Sequence, residues 1–177
     1  YGADSIVFDW GDVHVFTMQW WAGDATRLER GVTYHGVIRP TRLWRNGLRR
    51  LFEPLLFSLA VFVKLWPHRF DLLDCASIPY VPVVSCYLYS RLKRVPFVVT
   101  WHEFWGGALW RTTFGGLTGA VGAWSERLAL RCSPQIVSVS PFTARKLTSA
   151  RRIERLSVIA NCVDYERIVA SGKTDHH

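Results

Sequence analysis

The run VPFVVTW, residues 95–101, is apolar at nearly every position rather than at every second one. A strand that is wet on one side alternates, whereas a strand covered on both faces reads as a continuous apolar run. QIVSVS (135–140) and LSVIAN (156–161) repeat the pattern, and DLLDC (71–75) is a shorter version of it. Between these runs lie longer segments with helical periodicity, at 47–66, at 79–92 and from Pro141 onward. Pro79 and Pro82 fall in the first turn of the second helix, where proline is tolerated. Ser140 followed by Pro141 reads as an N-cap and first helical residue. Further upstream, DVHVFTM (12–18) and VTYHGV (32–37) read as strands, with WAGDATRLERG between them as a loop. Strands alternating with helices predict an α/β chain, a three-layer α/β/α arrangement with a mostly parallel sheet. Neither an internal repeat nor a linker divides it, so residues 1–177 are expected to form a single domain.

Size and composition agree with a packed core. The chain has 177 residues, 49% of them hydrophobic and 20% charged, which excludes a disordered or low-complexity protein. Lys and Arg number 22 against 14 Asp and Glu, a net charge of +8, so anionic partners are expected. The basic residues form no stripe with interleaved aromatics, and no nucleic-acid-binding motif appears, so nucleic acid is not an expected partner. Cys75, Cys86, Cys132 and Cys162 are far apart in sequence, without CxxC spacing, and read as reduced thiols of a cytoplasmic protein. Tyr1–Trp10 does not resemble a signal peptide and reads as an internal start. No metal is expected, since His14 and His35 have no partner at ligand spacing.

The apolar window 55–66 is too short to span a bilayer, which takes about 20 residues. Two readings fit it. One is a helix buried against a sheet. The other is a helix on an anionic membrane surface, because Arg42, Arg45, Arg49 and Arg50 precede it and Lys64 and Arg69 follow. On this second reading Arg45, Arg49 and Arg50 face the membrane.

In a parallel α/β sheet ligands gather outside the carboxyl ends of the strands. The residues there are Trp20, Trp21, Ser77, His102, Glu103, Ser140 and Asn161. His102 can carry a proton, Glu103 can accept hydrogen bonds from a hydroxyl-rich ligand, and Gly106 and Gly107 allow close backbone approach. Alternatively, His102 only caps the next helix. Ser140 with Thr143 forms either an anion or hydroxyl site or a simple cap. The glycines at 115, 116, 119 and 122 lack dinucleotide-fingerprint spacing, and no phosphate-binding loop is present. They serve helix packing or an apolar lip, and Trp101, Trp105, Trp110 and Trp124 nearby suit an interface.

Three segments in order carry a resemblance: VVTWHEFWGG (98–107), SERLALRCSPQIVSVSPFTARKL (125–147) and RLSVIANCVDYERI (155–168). They resemble the N-terminal, acceptor-side half of a family-4 retaining glycosyltransferase of the GT-B fold, also called group 1. The resemblance implies a Rossmann-like domain that helps move a sugar from a nucleotide-sugar donor to an acceptor, sometimes lipid-linked, with retention and without a cofactor or essential metal. It implies His102 as the catalytic residue, with Glu103, Gly106, Gly107, Ser140 and Asn161 on the substrate side and Asp164 in the loop towards a second domain. The alternative is a non-catalytic module that binds membrane surfaces. The family's P-N-G-V-D loop here reads Ala160-Asn161-Cys162-Val163-Asp164, without the proline and glycine. The family's first strand and its donor-binding domain have no counterpart in the sequence. The chain is therefore expected to be a fragment, inactive alone, that sits in the cytoplasm or peripherally on the cytoplasmic membrane face.

Overall fold

A computed structural model of the chain describes residues 11–40 and 52–161. Arg45, Arg49, Arg50, Cys162 and Asp164 lie outside the described residues, as do positions 47–51 of the first expected helix. The Cα positions group into two compact units, one of Tyr1–Cys75 with Pro79–Phe97 and the other of Ala76–Ile78 with Val98–His177.

The first unit opens with strands β1 (Val13–Thr17), β2 (Thr26–Glu29) and β3 (Val32–Gly36), in the order β1-β3-β2. β1 runs parallel to β3 and β2 antiparallel to it. Strand β2 corrects the expected loop at 21–31. Its four residues are all exposed, so no apolar alternation announces it. A two-residue hairpin turn sets it, with Arg30 at φ 51° and Gly31 at φ 79°, the left-handed pair that matches strand twist. The Arg27 guanidinium then lies 4.5 Å from the Trp21 ring centre and pairs with Glu29 at 3.0 Å.

Helices α1 (Phe52–Leu65) and α2 (Tyr80–Lys93) follow in the same unit. Ser58 and Ser85 share a hydroxyl hydrogen bond of 2.7 Å, and Lys93 Nζ sits 4.4 Å over the Trp66 ring. Both pairs have the same sequence offset, so the two helices run parallel. Tyr89, fully buried, donates its hydroxyl to the His68 carbonyl at 2.8 Å. Strand pairing brings together residues that sequence spacing kept apart: the rings of His14, His35, His68, Phe16 and Phe70 form one cluster, and His14 Nδ1 lies 2.8 Å from His35 Nε2. His35 is held below the ordinary histidine range by burial first, then by His14, His68 and Lys64.

A four-stranded sheet has the order β4 (Leu73–Ala76), β5 (Phe97–Trp101), β6 (Ile136–Ser138), β7 (Leu156–Val158). β5 is parallel to β6 and β6 to β7. With helices α3 (Gly106–Phe114), α4 (Gly116–Arg131) and α5 (Pro141–Ala150) alternating along the chain, this is the expected Rossmann-like α/β class. The apolar runs at 95–101 and 135–140 become β5 and β6, with Val99 and Ile136 fully buried. Trp101 is a correction: it is not at an interface but 0% exposed, with its indole N–H donated to Ser133 Oγ at 3.3 Å. The small residues of α4 serve packing. A Cβ on Gly119 would lie 2.6 Å from the Trp110 carbonyl oxygen of α3, and one on Gly122 would collide with the Trp110 ring. Cys75, Cys86 and Cys132 carry free thiols, and burial pushes the Cys132 thiol up.

Candidate functional site

The chain leaves the sheet at the carboxyl end of β5 and runs through His102-Glu103-Phe104-Trp105 into α3. Phe104 turns inward against Trp101, ring centres 6.0 Å apart, while His102 and Glu103 are exposed. A buried anchor thus alternates with two polar side chains that face water.

Helix α3 begins at Gly106 with no capping side chain of its own, since Trp105 stands at the N-cap. The first amides of a helix have no partner within it and need one from elsewhere. Glu126 supplies it from α4. Its two carboxylate oxygens accept from the Trp105 and Gly106 amides, each at 2.8 Å, and the residue is 0% exposed. A carboxylate at a helix N-terminus is favoured by the macrodipole, and hydrogen bonds to charged groups are worth roughly 1.5–3 kcal/mol each. Gly106 adopts φ 77°, a region that favours glycine, and this turns its amide towards Glu126.

The other end of the loop is tied to α5. Thr143 Oγ1 donates to the His102 carbonyl at 3.3 Å and accepts from Ser140 Oγ at 3.1 Å. Ser140 Oγ in turn accepts the Thr143 amide at 3.1 Å, the N-cap bond expected of Ser before Pro141. The backbone of residues 102–106 is therefore fixed at both ends by side chains from two different helices. Fixing the backbone reduces the entropy a ligand contact must overcome. Among the described residues, no hydrogen bond or ion pair engages the His102 imidazole or the Glu103 carboxylate.

The structure brings His102, Glu103, Gly106, Gly107 and Ser140 into one neighbourhood, in roles that differ. Gly106 gives its amide to Glu126, and a Cβ on Gly107 would come 3.1 Å from the Arg127 guanidinium. The Ser140 hydroxyl works as a cap. Asn161 is exposed just past β7, at the end of the described segment. Ser77, past the end of β4, donates its amide to the Thr100 carbonyl at 2.9 Å, and its buried hydroxyl has no partner among the described residues. Glu126 is the residue that spacing did not reveal as part of this site, because its partners lie about twenty positions away. The available signal was the one acidic residue of a helix whose other charges are Arg127 and Arg131. No group of three His, Cys, Asp or Glu among the described residues could hold a metal ion.

No helix among the described residues is long and apolar enough to cross a membrane. No curated protein matches the chain. Among solved structures, a sucrose-phosphate synthase from Thermosynechococcus elongatus is similar in fold, with a TM-score of 0.54 at 14% identity, over 91% of this chain and 82% of that one. Residues 11–167 match the sequence profile of Glycosyltransferase Family 4, nearly the whole chain, and they include both the pinned loop after β5 and the capped start of α5. The chain belongs to Glycosyltransferase Family 4.

Proposed function

We propose that this chain is the acceptor-side half of a retaining glycosyltransferase, and that His102 contacts the acceptor at the reacting centre. The observation that carries the reading is an exposed histidine, free of protein partners among the described residues, on a backbone pinned from both sides by Glu126 and Thr143. Catalytic groups act best when their supporting structure already holds them in place. An imidazole there can accept a hydrogen bond from a sugar hydroxyl while Glu103 takes another. The acceptor is a sugar or a lipid-linked sugar, and Asn161 borders the same carboxyl edge. The donor is a nucleotide sugar held mainly by a second domain, and the chemistry needs neither a cofactor nor a metal.

In the transferase that carries this domain, His102→Ala should lower kcat by roughly a hundredfold, the scale of losing a proton-transfer group, with an unchanged melting temperature. The isolated 177-residue chain should not turn over any nucleotide sugar. Full activity of the His102→Ala enzyme would remove His102 from the reaction. Turnover by the isolated chain would overturn the division into acceptor and donor halves.

A further inference from the structure

We infer that the outer face of the α1–α2 pair is a docking surface for an anionic lipid bilayer. A globular helix ordinarily turns one apolar stripe inward and a polar face outward. Helix α1 does not. Phe57, Ser58, Val61 and Leu65 are buried, and the opposite face carries Leu55, Leu56, Leu59, Val63 and, just past the helix end, Trp66. Positions 55, 59, 63 and 66 follow the three- and four-residue steps of a single helix face. Leu59 is 62% exposed and Val63 59%, so this face is unburied among the described residues.

Helix α2 also leaves aliphatic side chains exposed. The Ser58–Ser85 hydrogen bond marks the seam between the two helices. Leu88 and Leu92 lie one and two turns beyond Ser85 and are 49% and 62% exposed. The two parallel helices thus leave six leucine and valine side chains exposed between them, with Trp66 just past the end of α1.

The charges around this surface decide its occupant. Over residues 52–66 and 80–94 the cations are Lys64, Arg91, Lys93 and Arg94, and the one acid is Glu53. Protein interfaces are depleted in Lys at their cores and favour aromatic anchors, whereas an aliphatic face rimmed by Lys and Arg with Trp at its edge suits the headgroup boundary of an anionic membrane. Each Lys or Arg near such a surface adds roughly 1 kcal/mol. With 14 residues, α1 is about 21 Å long at 1.5 Å per residue. It therefore lies on a bilayer whose hydrocarbon core is about 30 Å thick and does not cross it.

This inference stands apart from the transfer reaction, and its test needs no sugar. The chain is floated with vesicles of equal parts phosphatidylglycerol and phosphatidylcholine, and with pure phosphatidylcholine. Binding to the anionic vesicles should exceed binding to the neutral ones and fall as salt is raised. Leu59→Ser/Val63→Ser should lower the partition coefficient by at least about tenfold, since both side chains would otherwise be immersed. Arg91→Gln/Arg94→Asn should lower it by roughly thirtyfold on anionic vesicles and leave the neutral baseline unchanged. Asn is chosen because Arg94 has φ 58°, a left-handed conformation that Asn tolerates. Two variant pairs of different chemistry guard against one that misfolds. Absence of flotation with anionic vesicles, or flotation that neither pair reduces, would overturn the inference. So would a self-associating chain whose dimer is broken by Leu59→Ser/Val63→Ser while vesicle binding persists.

Discussion

Helices α1 and α4 look alike in sequence, since each is a run of apolar and small residues with few charges, yet the fold uses them in opposite ways. α4 turns its small residues onto α3. Gly119 and Gly122 leave room for the Trp110 backbone and ring, and the Trp105, Trp110 and Phe114 rings pack within 5.8 Å of one another. α4 also carries the buried Glu126, which holds the start of α3 and the loop that bears His102. α1 packs one face through Phe57, Val61 and Leu65 and leaves its opposite aliphatic face in water. Apolar composition therefore identifies neither a core helix nor an interface. Residue size at the crossing, and whether polar atoms on the helix find partners, separate the two.

The sharpest break of this contrast is at Glu126. Glu126→Ala leaves two helix-start amides without their acceptor and should cost about 3–4 kcal/mol, read as a lowered denaturant midpoint. Glu126→Gln should recover part of that, because one amide oxygen can still accept. If Glu126→Ala were as stable as the parent, the cap across α3 and α4 would not hold the loop. Next is Gly122→Val, which drives a side chain into the Trp110 ring and should cost about 2–3 kcal/mol through overpacking. A neutral outcome would mean that α3 and α4 are not closely apposed there.

Acid should separate the regions more gently. His35 has its folded pKa below the ordinary value, so the folded state favours the neutral ring. The unfolded chain takes up its proton first as pH falls below about 6.5, and stability is lost through that window. His35→Phe keeps the ring stack on Phe16 and should flatten the fall in melting temperature between neutral and mildly acid pH. An unchanged slope would assign the acid sensitivity to other groups. Smallest is the expected effect of Leu59→Ser/Val63→Ser on stability. These exposed positions should change it by less than about 0.5 kcal/mol each, even as vesicle binding drops.

Much of this fold was legible because its strands are buried on both sides. Continuous apolar runs at 95–101 and 135–140 mark β5 and β6 without help from distant residues, and Ser140-Pro141 marks the start of α5 through a local cap. Strand β2 was not legible. Thr26-Arg27-Leu28-Glu29 lacks alternation, and the strand exists because the Arg30-Gly31 turn folds it back onto β3. The site divides in the same manner. His102 could be found from its place after a buried strand. Glu126 could not, because its meaning depends on two amides that only the packing of α3 against α4 brings to it. The His14, His35 and His68 cluster was hidden for a related reason, since strand pairing rather than spacing assembles it.

On the proposed function, the pinned loop after β5 receives a sugar acceptor at His102. The most direct test is a titration of the histidine-labelled chain with a panel of mono- and disaccharides, followed by NMR of the imidazole resonances. An acceptor sugar is expected to shift the His102 signals and leave those of His14, His35 and His68 in place, and Glu126→Gln to weaken the response. Sugar-induced shifts confined to His14, His35 and His68, with His102 unmoved, would contradict it.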